Sequence, residues 1–383
     1  MALDSDILQQ LLDTLSRFVS ERLRPLESQI AADDRIPDAI VKEMKDLGLF
    51  GLTIPLEYGG LGLNMQEEVA VARAFGRTSP AVRSACGHNV GIGSQSLVID
   101  GTEAQKQYYL PKMATGEIVG SFCLSEPEAG SDAASVRTTA VKDGDAYVIN
   151  GTKRYITNAP WADLFTVFAR TDQAVSGARG VSAFLVDRTT QGVSLGQPYR
   201  KMGQQGAPVC DVIFDDVRVP AESLVGGKEN VGFITAMKVL DKGRLHISAI
   251  SVGVAERLIE DATRYAIERK QFNQPIADFQ LVQAMLADSQ TEMYAAACMV
   301  AETARRRDSG EAVAAVAASC KLFATEMVGR VADRAVQIFG GAGYIEDYGI
   351  ERFYRDVRLF RIYEGTSQIQ QTVIAKDLIK RFQ

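Results

Sequence analysis

The apolar residues of this chain change their spacing twice, and that double change limits the possible folds more than any other feature. Up to about residue 118 they recur every three or four positions. In DILQQLLDTLSRFVSERLRP (6–25), Leu8, Leu11, Leu12, Leu15, Phe18, Val19 and Leu23 form one helical stripe, with Ser5 as the expected N-cap. IPDAIVKEMKDLGLFGL (36–52), MQEEVAVARAFGR (65–77) and EAQKQYYLPKM (103–113) repeat the pattern around the loop IPLEYGGLGLN. From residue 119 the runs turn short and rich in β-branched and aromatic residues: VGSFCLSE, VRTTAVKDGDAYVINGTKRYIT, LFTVFART, VSAFLVDR and DVIFDDVRVP. Asp143-Gly144 and Asn150-Gly151 flank DAYVIN as two hairpin-turn signals, so an antiparallel sheet is expected. After VPAESLVGGKENVG the helical spacing returns and persists in long, partly Ala-rich segments. The order is helices, sheet, helical bundle, with expected limits at 1–118, 119–228 and 229–383.

Several function classes are disfavoured at once. A formal charge of −6 and the lack of a basic run argue against nucleic acid as a partner. No apolar stretch is long enough for a membrane span, and MALDSDILQQLLDTL has neither a secretory nor a transit pattern. A cytoplasmic protein, or a mature organellar matrix protein, is the expectation. The five cysteines are scattered without a C-x-x-C pair and read as reduced thiols. With two histidines only, His88 and His246, no metal centre is expected, and each reads first as a packed or surface side chain. G-x-G-x-x-G is missing, since GAGYIE breaks at its last position, and Gly227-Lys228 lacks the rest of a phosphate-binding loop. Chemistry must come from carboxylates or from a cofactor on another scaffold.

RIYEGTSQIQQ (361–371) holds the carboxylate most in need of explanation, Glu364. Gly365 permits a bent backbone, and Thr366 and Ser367 are both N-cap residues, with Ser367 and Gln370 spaced as a capping box. Glu364 is thereby expected on a held loop end. Taken alone, this stretch fits a surface or capping glutamate best.

SFCLSEPEAGSDAAS (121–135), YIEDYGIERFYRD (344–356) and IYEGTSQIQ (362–370), with ITN (156–158) and ERKQF (268–272), resemble the acyl-CoA dehydrogenase family of flavoproteins. The resemblance covers essentially the whole chain. It implies an α+β, mostly α fold: an N-terminal helical domain, a central antiparallel β-barrel-like domain and a C-terminal four-helix bundle. It also implies a homotetramer built as a dimer of dimers, with FAD as cofactor. The implied reaction converts an acyl-CoA to the trans-2-enoyl-CoA. A carboxylate takes the α-proton, the β-hydrogen leaves as hydride to flavin N5, and electrons pass to an electron-transfer flavoprotein. By resemblance Glu364 is that base, and its N–H donates to the enolate oxygen. Other branches place the base directly before the arginine matching Arg244, where this chain has Gly243.

The same resemblance implies the binding residues. Phe122, Leu124 and Ser125, then Tyr155, Ile156 and Thr157, match the flavin walls, with Tyr155 where many members have tryptophan. Arg269, Lys270, Gln271 and Phe272, with Gln280 and the run Gln337, Ile338, Phe339, Gly340 and Gly341, match contacts to the FAD of a neighbouring subunit. Asn273 departs from the family's glycine there. Thr366, Ser367 and Gln368 match cofactor contacts at the helix mouth. Ser131 matches a residue near cofactor and CoA, Asp241, Lys242, Gly243 and Arg244 the CoA segment, and Gly365 a thioester contact. Side chains between about 84 and 100 and around 243 set the acyl pocket, and Gly243 resembles the short- and medium-chain members. Two alternatives stay open: a relative with altered chemistry, such as an oxidase, and a non-catalytic scaffold.

Overall fold

The computed structural model describes residues 3–383. The helices before the sheet are α1 (Ser5–Arg17), α2 (Glu27–Asp33), α3 (Asp38–Asp46), α4 (Met65–Phe75), α5 (Pro80–Val90), α6 (Gln95–Asp100) and α7 (Glu103–Thr115). The sheet holds β1 (Gly120–Cys123), β2 (Thr139–Asp143), β3 (Ala146–Thr157), β4 (Leu164–Arg170), β5 (Val181–Asp187), β6 (Val193–Leu195) and β7 (Val209–Pro220). Then come α8 (Gly232–Glu268), α9 (Gln280–Asp308), α10 (Ala314–Phe339), α11 (Ile350–Val357) and α12 (Ser367–Lys380). The α+β architecture expected from the change of spacing is present, in the expected order.

The sheet runs β1-β4-β2-β3-β7-β6, with β5 on the free side of β4. Most pairs are antiparallel, but β4 runs parallel to β1 and, where Arg170 lies opposite Thr139, to β2. Asp143-Gly144 turns the β2–β3 hairpin as expected, with Asp143 opposite Ala146. Asn150-Gly151 does not turn the chain. It lies within β3, where the β3–β7 register slips between Ile149 and Gly151. A Cβ on Gly151 would lie 2.5 Å from Thr138 Oγ1, so glycine marks a bulge pressed on a neighbouring strand.

Phe165, Phe184, Val212 and Phe214 fill the interior of the curled sheet. Leu110 and Met113 of α7 and Val239 of α8 pack with Phe122, Leu164 and Phe168 at the helix–sheet boundary. A third core joins the N-terminal helices to the bundle through Phe18, Leu23, Ile250, Val254, Met327 and Phe353. There α4 and α8 touch backbone to backbone: a Cβ on Gly253 would lie 2.0 Å from Arg73 O, and one on Gly76 would lie 2.5 Å from Ile250 O. This close crossing matters for the site, because it sets side chains of α4 against those of α8.

Two caps differ from expectation by one residue. Asp4, not Ser5, caps α1, accepting from Asp6 N at 2.8 Å, where an acid also favours the helix dipole. Thr366, not Ser367, caps α12, accepting from Ile369 N at 3.2 Å. Ser367 Oγ instead donates to Glu326 Oε1 on α10 at 2.6 Å, a partner that no local pattern announces.

Candidate active site

A cavity of about 360 Å³ opens where α5, the sheet, α8 and the loop before α12 meet. Glu364 reaches it from that loop. Its backbone is left-handed (φ +54°), followed by Gly365 at φ +88°. Gln370 holds this bend from inside, its Nε2 donating to the carbonyls of Glu364 (3.2 Å) and Gly365 (3.0 Å). Lys321 on α10, fully buried, donates to Gly365 O at 2.7 Å. Burial pushes the Lys321 amine down to about 8, while the nearby Glu364 charge works the other way. The loop carbonyls are thus clamped from two sides, and the carboxylate is left for the cavity. Glu364 Oε2 is buried with no hydrogen-bond partner. It fills the space over Gly243, where a Cβ would lie 2.4 Å from it.

Opposite are residues of the sheet. Phe122, Leu124 and Ser125 on and after β1, and Tyr155, Ile156 and Thr157 at the end of β3, line the cavity together with Ser131. Arg154 N donates to Ser125 O at 2.8 Å, tying the two segments together. A second register slip, between Lys153 and Ile156, puts Tyr155 at φ +58° and turns it outward against Tyr199, with Ile156 buried. The loop that carries Ser125 and Ser131 is anchored by Glu126, whose carboxylate accepts from Lys153 Nζ (2.7 Å) and from the N–H groups of Arg137 (2.6 Å) and Thr138 (2.9 Å). Apolar faces with the hydroxyls of Ser125, Ser131 and Thr157 between them suit a planar ring whose rim carries heteroatoms, so the residues present fit a flavin.

The third side is charged, and it comes from helices whose residues read as ordinary packing. Glu68 on α4 is buried; Lys242 Nζ lies 3.1 Å from its Oε2 and His246 Nδ1 2.9 Å from its Oε1. Burial pushes Glu68 upward, but Lys242 and His246 outweigh it and hold the carboxyl at about 2. Arg83 Nε donates to His246 Nε2 at 2.9 Å, which makes that nitrogen an acceptor and leaves the proton on Nδ1, facing Glu68. Burial and the Arg83 charge lower His246, against the pull of Glu68. His88 also lines the cavity, and burial with Arg83 brings it down to about 4. Both histidines therefore line the site, although from the sequence each reads first as a packed or surface side chain. The available signal was spacing: Arg83, Gly87 and His88 share a face of α5, as Lys242 and His246 do on α8.

The sign of the His88 shift sets a test. A depressed imidazole stays neutral in the fold, so it contributes stability above its ordinary 6.5 that is lost as pH falls through about 4. The buried Asp356 carboxyl, pushed up to about 6, contributes in the opposite sense over the same range, so the test is a difference. Chemical unfolding followed by Trp161 fluorescence should show stability falling more steeply towards acid in the wild type than in His88→Gln.

The remaining expected residues divide clearly. Gly243 and Arg244 line the cavity; Lys242 does too but is turned to Glu68, and Asp241 accepts from Arg244 Nη1. Thr366 caps α12, Ser367 is bound to Glu326, and Gln368 is exposed. Arg269, Lys270, Gln271, Phe272 and Gln280 lie exposed on a short hairpin and the start of α9. Gln337, Gly340 and Gly341 are exposed as well, whereas Ile338 and Phe339 are buried and Phe339 stacks on Tyr265 at 4.0 Å. One chain does not bring this second group to the cavity.

The family models for the N-terminal, middle and C-terminal domains of acyl-CoA dehydrogenases match residues 5–117, 121–217 and 230–379. A 3-(aryl)acrylate reductase of Clostridium sporogenes is 41% identical over 372 residues, covering 97% of this chain and 98% of that protein. The CarC subunit of a caffeyl-CoA reductase–Etf complex from Acetobacterium woodii is 41% identical, covering 92% of this chain and 93% of its own. The butyryl-CoA dehydrogenase of Megasphaera elsdenii superposes with a TM-score of 0.94 at 34% identity, covering 99% of this chain and 100% of its own. With its three domains matched in order and its relatives aligned from end to end, the chain belongs to the acyl-CoA dehydrogenase family of FAD-dependent oxidoreductases.

Proposed function

We propose that the protein catalyses α,β-dehydrogenation of an acyl-CoA thioester, with Glu364 as the base. The observation that carries this reading is Glu364 Oε2, buried in the cavity without a partner, on a loop clamped by Gln370 and Lys321. A thioester α-proton is weakly acidic, so its removal needs a carboxylate kept from water and aimed at one point. The Glu364 N–H and Gly365 serve the thioester carbonyl, which acidifies that proton further. Phe122, Leu124, Ser125, Ser131, Tyr155, Ile156 and Thr157 hold the flavin in this reading. When bound, FAD supplies the acceptor for the β-hydrogen. Arg269 to Phe272, Gln280 and the segment 337–341 lie away from the cavity of their own chain, so they serve the cofactor of a second copy in a homotetramer. Thr366, Ser367 and Gln368 act at the helix mouth, and Asp241 to Arg244 towards CoA. We take the domain limits as 1–118, 119–228 and 229–383, and the compartment as the cytoplasm; among the described residues no helix is long and apolar enough to cross a membrane.

The Etf complex of the Acetobacterium woodii relative supports an electron-transfer flavoprotein as redox partner here. The 3-(aryl)acrylate reductase and the caffeyl-CoA reductase subunit, both 41% identical, also favour a second reading, reduction of a 2,3-double bond, which on the CoA-bound substrate of the second relative is that of a 2-enoyl thioester. It uses the same atoms in reverse, with Glu364 returning the proton, and the potential of the partner decides the direction. Adding acyl-CoAs anaerobically to the yellow protein tests the proposal. Bleaching of the flavin band by saturated thioesters supports it. A band that no thioester bleaches, and that no enoyl-CoA restores after chemical reduction, overturns it.

A further inference from the structure

The charged side of the cavity has a property that base and flavin do not explain. Glu68 already answers two groups, Lys242 and His246. Arg83 is half-buried and spends its Nε on the neutral His246. Among the described residues no carboxylate lies within 4.0 Å of the Arg83 guanidinium, although carboxylates pair with most of the other arginines around it, as Arg77 with Glu260 and Arg244 with Asp241. A guanidinium cannot discharge itself by losing a proton, and holding it half-buried without an anion is costly.

The surroundings are built to keep it there. A Cβ on Gly87 would lie 3.0 Å from Arg83 Nε, so glycine at that position leaves room for the side chain to lie along α5. His246 accepts only because Glu68 takes its other proton, and Glu68 is brought to α8 by the backbone contact at Gly76 and Gly253. Glu68, His246 and Arg83 form a relay that fixes the direction of the fork and leaves its terminal nitrogens for a ligand. The position along α8 bounds the ligand: His246 follows Gly243, over which Glu364 lies, by three residues, about 4.5 Å of helix rise.

We infer that this side of the cavity is an anion subsite in which Arg83, aimed by His246 and Glu68, receives a carboxylate carried on the acyl group, so that the preferred substrates are CoA monothioesters of short dicarboxylic acids. The inference rests on the acyl-CoA reading above and narrows it. Glu68 and His246 are positioning residues; Arg83 makes the contact.

The test compares thioesters that share CoA and differ only in the acyl end. The FAD-loaded protein is titrated anaerobically with dicarboxylyl-CoAs of four to six carbons and with neutral acyl-CoAs of matching length, and bleaching gives an apparent Kd for each. The anionic series should bind at least about tenfold tighter. Arg83→Met should weaken it roughly 100-fold while leaving the neutral series within about twofold. Arg83→Lys, which keeps charge but not the fork, should fall between. His246→Leu should lose most of the selectivity, and His246→Gln, whose amide oxygen can still accept from Arg83 Nε, should retain most of it. An intact flavin spectrum in each variant shows that it folds. Equal affinity for both series in the wild type, or an equal loss of both in Arg83→Met, overturns the subsite while the dehydrogenation reading stands. If no thioester of either series bleaches the band, and no enoyl-CoA restores it after chemical reduction, that reading falls and the subsite with it.

Discussion

Glu364→Gln is expected to slow anaerobic bleaching of the flavin by acyl-CoA by roughly 10²–10⁴-fold, the usual contribution of a positioned general base. The amide has the same shape, so it still occupies the space over Gly243. The clamps on the loop grip the carbonyls of residues 364 and 365 rather than the carboxylate, and they survive the change. The variant should therefore stay yellow, melt where the wild type melts and bind acyl-CoA, while failing to take the proton. Stopped-flow reduction beside a thermal melt separates the two effects. A variant reduced as fast as the wild type would mean that another group removes the proton. Gly243→Ala provides a milder companion, since a methyl group there displaces the Glu364 carboxylate without touching the core.

Lys153→Met is expected to destabilise the protein by roughly 3–5 kcal/mol, the range found when one partner of a buried ion pair is removed. Lys153 is fully buried, and its amine lies 2.7 Å from Glu126 Oε1 and 3.2 Å from Leu124 O. The change strands a carboxylate whose remaining donors are two backbone N–H groups. Since Glu126 anchors the loop holding Ser125 and Ser131, flavin affinity should fall together with stability. Denaturant unfolding and equilibrium dialysis of FAD measure the two. A melt within about 1 kcal/mol of the wild type would show that the backbone donors alone hold the loop.

How much of this was legible in the sequence depended on how far apart the interacting residues lie. The helices were readable because each turns a single apolar stripe to one core, and the β segment because its spacing shifts abruptly at β1. Asn150-Gly151 reads as a turn in the sequence because a turn and a bulge ask for the same permissive backbone; only the neighbouring Thr138 distinguishes them. The shift of the α12 cap from Ser367 to Thr366 has a similar origin, since Glu326, far off in sequence, takes the serine hydroxyl. The bend at Glu364 was legible, being written in Gly365 and the hydroxyl residues after it. The charged side was not. Glu68, Arg83 and His246 stand on three helices, each among side chains of ordinary surface or core type, and acquire meaning only where α4, α5 and α8 meet.

The empty Cβ position at Gly243 also restricts the routes along which such a protein can change. The family resemblance gives two places for the base, and here they overlap in space: a side chain on residue 243 and the carboxylate of Glu364 exclude each other. On the proposed reading, a lineage that acquires an acid at 243 first displaces the Glu364 carboxylate, and one that loses Glu364 first has no base. Either single step passes through an impaired ancestor. The location of the base is therefore expected to behave as a frozen choice, retained through changes of substrate that alter the rest of the cavity wall.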